Sequence, residues 1–102
     1  MENSKRRTLA EMNIDAYGKD KSMSGTLRLR YEYAVGLKGA GKDSMHVLQV
    51  TRIVKCVWDE TKVGDFYTAN VVCTLSSNGR PVPGADTDRV TCQKCIARFG
   101  WN

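Results

Sequence analysis

Cys56, Cys73, Cys92, Cys95 and His46 are the residues of this chain whose types suit them to hold a metal ion or to react. The closest pair lies in Cys92-Gln93-Lys94-Cys95. Two thiolates at this spacing reach one tetrahedral ion from a single turn, and the turn's backbone amides help to neutralise them. The pattern therefore supplies half of a zinc site. A thioredoxin-like redox pair has the same spacing but opens a long helix inside a βαβ unit. Too little chain follows Cys95, which lies seven residues from Asn102, to build that helix and sheet. Structural Zn2+ is the expected cofactor, with Cys73 as the third donor.

A closed structural site takes four donors, and two residues compete for the last place. If Gly64-Asp65 forms a two-residue type II′ turn, opposed residues sum to 129 and Cys56 faces Cys73. Directly opposed Cβ atoms lie about 5 Å apart, close enough for two thiolates to share an ion. If Asp59-Glu60 turns instead, the sum is 119 and His46 faces Cys73, with Leu48 opposite Val71. Turn chemistry favours the first register.

The tail Val90-Thr91-Cys92-Gln93-Lys94-Cys95, together with His46 in Met-His-Val-Leu and Cys73 in Val-Val-Cys-Thr, resembles a class of short zinc-ribbon-like proteins. These are frequent in bacteriophages and their hosts and end in V-T-C-x-x-C. The likeness covers roughly residues 45 to 97. It implies that His46, Cys73, Cys92 and Cys95 are the ligands. It further implies an accessory protein that docks on a host or viral complex. Cys56 stays in contention through the hairpin arithmetic.

The elements that must position these donors are few. Thr8 and Glu11 have capping-box spacing, so a short helix is expected from Thr8 to about Tyr17. Leu27, Leu29, Tyr31, Tyr33 and Val35 alternate with Arg28, Arg30 and Glu32, the pattern of an antiparallel strand with one wet face. Val- and Ile-rich stretches from Met45 to Trp58 and from Phe66 to Leu75 give two further strands. The prolines and glycines between Ser76 and Asp88 predict an irregular loop. The expected fold is α+β: a short N-terminal helix, a three-stranded antiparallel meander and a C-terminal zinc-knuckle turn. Residues 1–7 are expected to be a disordered basic arm, and residues 8–102 one small zinc-binding domain.

Composition bounds the rest. A chain of 102 residues is one domain on size priors, and 41% hydrophobic residues suffice for a core. No apolar run approaches the roughly 18 residues needed to span a bilayer. No apolar segment follows the polar start, so a cytoplasmic location is expected, in the host cell if the chain is phage-encoded. In a reducing compartment clustered thiols hold metal more often than they pair.

No H-E-x-x-H or phosphate-cradling motif is present, so no enzyme is expected. A net charge of +5 favours anionic partners. Two binding roles follow. One is docking on a protein partner through the strand edge at Thr26–Val35 or through Tyr31, Tyr33, Trp58 and Trp101, although Trp101 could equally fold back over the zinc turn. The other is nucleic-acid binding through Lys5, Arg6, Arg7, Arg28, Arg30, Arg80, Arg89, Lys94 and Arg98.

Overall fold

The computed structural model describes residues 6–17, 21–23, 27–39, 44–56, 61, 67–74 and 79–102. Its elements in chain order are α1 (Leu9–Tyr17), β1 (Lys21–Met23), β2 (Leu27–Lys38), β3 (Met45–Cys56), β4 (Tyr67–Val71), β5 (Gly79–Pro81), a 3-10 turn (Thr87–Arg89) and α2 (Gln93–Arg98). The fold is α+β. A curled antiparallel sheet runs in the order β1-β2-β3-β4, and β5 joins it by pairing with β2. No helix among the described residues is long and apolar enough to cross a membrane.

Helix α1 begins as the Thr8/Glu11 spacing predicts. The Thr8 N–H donates to Glu11 Oε1 at 2.8 Å and the Glu11 N–H to Thr8 Oγ1 at 3.2 Å, a reciprocal capping box. The next exposed amide, at Leu9, donates instead to Asp86 Oδ1 at 2.7 Å. The helix start is thereby tied to the segment that leads into the 3-10 turn. Met12 and Ala16 form its buried side.

Strands β2 and β3 form the long central ladder, from Leu27 opposite Cys56 to Leu37 opposite Met45. Because side chains alternate across a strand, Val35 and Val47 share one face, where they pack with Met12, Val72, Val90, Cys95, Ile96 and Trp101. Leu48 and Val50 point to the other face. There they form a second cluster with Ala69 and Val71.

The β3–β4 register corrects the turn-based expectation. Leu48 pairs with Val71, Val50 with Ala69 and Arg52 with Tyr67, so the 119 register forms and the 129 register does not. The reason is burial. Leu48 and Val71 are both at 0% exposure, and sealing such pairs outweighs a turn preference, since full burial of one large aliphatic side chain is worth about 2 kcal/mol. Among the described residues the β3–β4 pairing runs to Arg52 opposite Tyr67; Asp65, which this register would set against Val54, lies outside them. The connecting turn lies outside the described residues.

Two short strands go beyond the three-stranded meander. β1 pairs Lys21–Met23 with Leu27–Leu29, and β5 pairs Gly79–Pro81 with Gly36–Lys38. β3 occupies one edge of β2, so β1 and β5 share the opposite edge, one at each end. Between them the Asn13 side chain takes a strand's place: its amide donates to Tyr33 O at 3.1 Å and its carbonyl accepts from Tyr33 N at 2.5 Å. Polar composition hid β1, and Gly79 with Pro81 hid β5. An edge strand tolerates proline because it needs no second partner.

Glycine has a packing role at two of these positions. A Cβ built at Gly36 would run into the Arg80 carbonyl oxygen and stand 2.5 Å from Leu48 Cδ1, and one at Gly79 would collide with Leu48 Cδ2. Leu48 is sealed because both strands lack side chains there. Replacing Gly36 by Ala is expected to push β5 off β2 and cost about 2 kcal/mol. The check is a lower urea midpoint at unchanged slope.

Candidate metal centre

Three segments far apart in sequence meet at one end of β3. His46 is the second residue of that strand and is buried. β4 ends at Val71, but the Val72 N–H still donates to Val47 O at 3.0 Å. The next residue, Cys73, is thereby carried level with His46. Sequence separation is bridged by register alone.

The third segment docks on the edge of β3 beyond the end of β4. The N–H groups of Thr91 and Cys92 both donate to Met45 O, at 3.1 and 3.0 Å. In return the Met45 N–H donates to Thr91 Oγ1 at 3.0 Å. Cys92 is the N-cap of α2, and Cys95 sits one turn on, at 0% exposure. A strand residue's N–H and C=O point to the same edge, so the Val47 N–H also faces this segment. It donates to Cys95 Sγ at 3.4 Å.

The four donors converge. Cys73 Sγ lies 3.7 Å from His46 Nδ1, Cys92 Sγ lies 3.8 Å from Cys73 Sγ, and Cys95 Sγ lies 4.0 Å from His46 Nδ1. All four donor atoms fall within 4.8 Å of one another. Around a tetrahedral zinc ion with Zn–S of about 2.3 Å and Zn–N of about 2.0 Å, neighbouring sulfurs stand about 3.8 Å apart and a nitrogen about 3.5 Å from a sulfur. The Cys73–Cys92 and Cys73–His46 spacings fit that figure, and the Cys95–His46 spacing is about half an ångström wider. Cys73 and Cys92 are too far apart for a disulfide, whose bond is about 2.05 Å. His46, Cys73, Cys92 and Cys95 thus form a cluster suited to a structural metal such as zinc.

Of the two residues competing for the fourth place, the structure brings in His46. Cys56 ends β3, opposite Leu27, ten residues along the strand from His46 and so about 33 Å away. The register that sets Leu48 against Val71 accounts for both outcomes.

The two thiols of the knuckle differ in environment. Burial works against ionisation of Cys92, but hydrogen bonds outweigh it: from the Cys95 N–H, from the Cys73 and Cys95 side chains and from the Lys94 N–H. The net result is a pKa below the ordinary thiol value. Cys95 is pushed up to about 12, chiefly by burial and further by Cys73 and the charge on Cys92, against the opposing bond from Val47. Without an ion, Cys95 therefore keeps its proton at neutral pH, and metal must expel it.

Among the described residues, the candidate basic side chains fall on several elements. Lys5 lies outside the described residues. The end of the expected basic arm is held against the fold: Arg6 Nη1 donates to Thr87 O at 2.8 Å and Val90 O at 3.0 Å, with its guanidinium over Trp101. Arg7 pairs with Asp15 at 2.6 Å. Arg28 and Arg30 stand near the start of β2, whereas Arg80 pairs near its end, opposite Leu37. That separates Arg28 from Arg80 by nine residues of strand, about 30 Å. Arg89, Lys94 and Arg98 are exposed on the 3-10 turn and α2.

Trp101 is not a surface residue. α2 ends with Gly100 at φ 69°, the Gly100 N–H donating to Ala97 O and the Trp101 N–H to Ile96 O. This Schellman closure turns Trp101 back into the core, stacked 4.9 Å from Phe99. Sequence reasoning missed the contributions of Asn13, Asp86 and the Val47 amide. A lone Asn or Asp in a polar stretch carries no pattern that reveals a distant backbone partner.

Comparison with protein-family models, with curated proteins and with solved structures finds no match.

Two outcomes are expected. Replacing His46 by Ala should weaken zinc binding by more than about 100-fold, beyond what loss of a supporting residue costs, while Cys56→Ser leaves it unchanged; competition with a chromogenic chelator measures both. Because loading displaces at least the Cys95 proton, apparent affinity should rise with pH and fall by at least about tenfold for each unit of acidification. The same titration, repeated between pH 6 and 8, reads that slope.

Proposed function

We propose that this chain is a small, non-enzymatic, zinc-stabilised binding protein that docks on a protein partner, as an accessory factor of a host or viral complex. The observation that carries the reading is closure of the metal site. Four protein donors at tetrahedral separations leave no position for water or substrate, whereas a catalytic zinc keeps one open. Three thiolates and an imidazole favour zinc over harder cations. His46 is the sole histidine, so its use as a ligand leaves no second imidazole for acid–base work.

Support for a protein partner comes from the sheet. On the half of the sheet away from the metal, Leu29, Thr51, Ile53, Tyr67 and Thr68 line an open depression of about 300 Å3. Tyr67 is 54% exposed beside it. Aromatic side chains of this kind serve as anchors at interfaces. Arg28 and Arg30 lie at the opposite end of β2 from Arg80, which favours nucleic acid less, since a phosphate-tracking surface needs its cations along one path.

Two measurements test the proposal. Elemental analysis of purified chain should give one zinc per molecule, and a Cys92→Ser, Cys95→Ser double variant should lose both the metal and its cooperative melting transition. In an affinity capture with added nuclease, the partner should persist, and Tyr67→Ala should weaken it by about 30-fold without lowering the melting temperature. A partner lost on nuclease treatment would transfer the assignment to nucleic acid.

A further inference from the structure

The metal centre is enclosed unequally. We propose that its outer pair, Cys73 and Cys92, is an oxidation site at which a peroxide forms a Cys73–Cys92 disulfide and releases the zinc. The proposal rests on the zinc reading above and adds a reactivity that reading does not require. Cys73 and Cys92 are half-buried, whereas Cys95 is fully buried. A surface depression of about 350 Å3 reaches His46, Cys73 and Cys92 and is bordered by Lys38 and Lys94; Cys95 does not line it. A small oxidant therefore meets two of the three sulfurs.

Those two sulfurs are also neighbours. Their Sγ atoms stand 3.8 Å apart, so a bond of about 2.05 Å needs an approach of about 1.8 Å. The chemistry balances with hydrogen peroxide as the sole co-reactant. One thiolate attacks a peroxide oxygen, the O–O bond breaks, and a sulfenic acid forms while hydroxide leaves and is protonated to water. The second thiolate attacks that sulfur, the S–O bond breaks, and a second hydroxide leaves as water. Two thiolates, one peroxide and two protons give one disulfide and two waters, the sulfurs losing the two electrons that the peroxide gains.

Disulfide sulfur carries no charge and binds zinc poorly, so two of the four donors vanish in one event. Cys95 and His46 remain chemically unchanged. The new bond joins two of the three segments that the ion would join, the turn after β4 and the N-cap of α2. Oxidation thus exchanges a metal cross-link for a covalent one and leaves the tail tied.

The test starts from chain of measured zinc content. Hydrogen peroxide is added in the presence of a chromogenic chelator, the remaining thiols are alkylated under denaturing conditions, and peptides are mapped by mass spectrometry. The expected result is one zinc released per chain and a Cys73–Cys92 linked peptide as the main product, with Cys95 alkylated. The oxidised, metal-free protein should still melt cooperatively, and addition of dithiothreitol with chelator should abolish that transition. A main linkage through Cys95 or Cys56, over-oxidation of single sulfurs without a disulfide, or zinc retained after both outer thiols have reacted would overturn the proposal. Chain that purifies without zinc would instead overturn the underlying zinc reading before peroxide is added, and this proposal with it.

Discussion

The peptide group of Met45, clasped by Thr91 and Cys92, is the contact through which the C-terminal segment reaches the sheet at the metal centre. Its carbonyl accepts from two amides and its N–H donates to a hydroxyl. The clasp sits one residue from His46 and fixes where both knuckle cysteines lie. Three such bonds together contribute about 3 kcal/mol net. Ordering the tail costs more, at about 1 to 2 kcal/mol per residue for the backbone alone. Apolar packing of Val90, Ile96 and Trp101 makes up part of the difference. Ion binding can supply the remainder, since binding energy to a site absent from the unfolded chain becomes folding energy.

Around that clasp the N-terminal segment acts as a second brace. Arg6 donates to the carbonyls of Thr87 and Val90, Thr87 Oγ1 donates to Arg7 O, and Asp86 accepts from the amides of Leu9 and Thr87. Residues 86–90 are thereby held from the helix side while residues 91–92 are held from the sheet side. The approach to the knuckle is constrained from both directions.

Much of the site could be read from residue types, and less of the scaffold. The C-x-x-C spacing, the single histidine and the Cys73 position were sufficient to narrow the donors to five candidates. The resemblance pointed to His46 and turn chemistry to Cys56, and the strand register sides with His46. Register follows from which side chains are sealed, and that depends on Gly36 and Gly79 leaving room for Leu48. Such a relation among three strands has no local signature. The capping box at Thr8 and the alternation in β2 were legible because each is written in consecutive residues. β5 was not, because its pairing reaches from Gly79–Pro81 back to Gly36–Lys38.

Cys73 touches both hydrophobic clusters, the one beneath α1 and α2 and the one formed by Leu48, Val50, Ala69 and Val71. The metal centre therefore stands at the seam between two small cores. A domain of about 100 residues buries a limited share of its surface, and dividing that share between two faces of a sheet leaves each core thin. A metal cross-link at the seam, as proposed above, would let each core rely on the order of the other. A closed ion in the proposed site would suit this task because a tetrahedral donor set holds one geometry. The outer sulfurs nevertheless remain within reach of solvent, since the depression over Cys73 and Cys92 is bounded by polar side chains rather than by core.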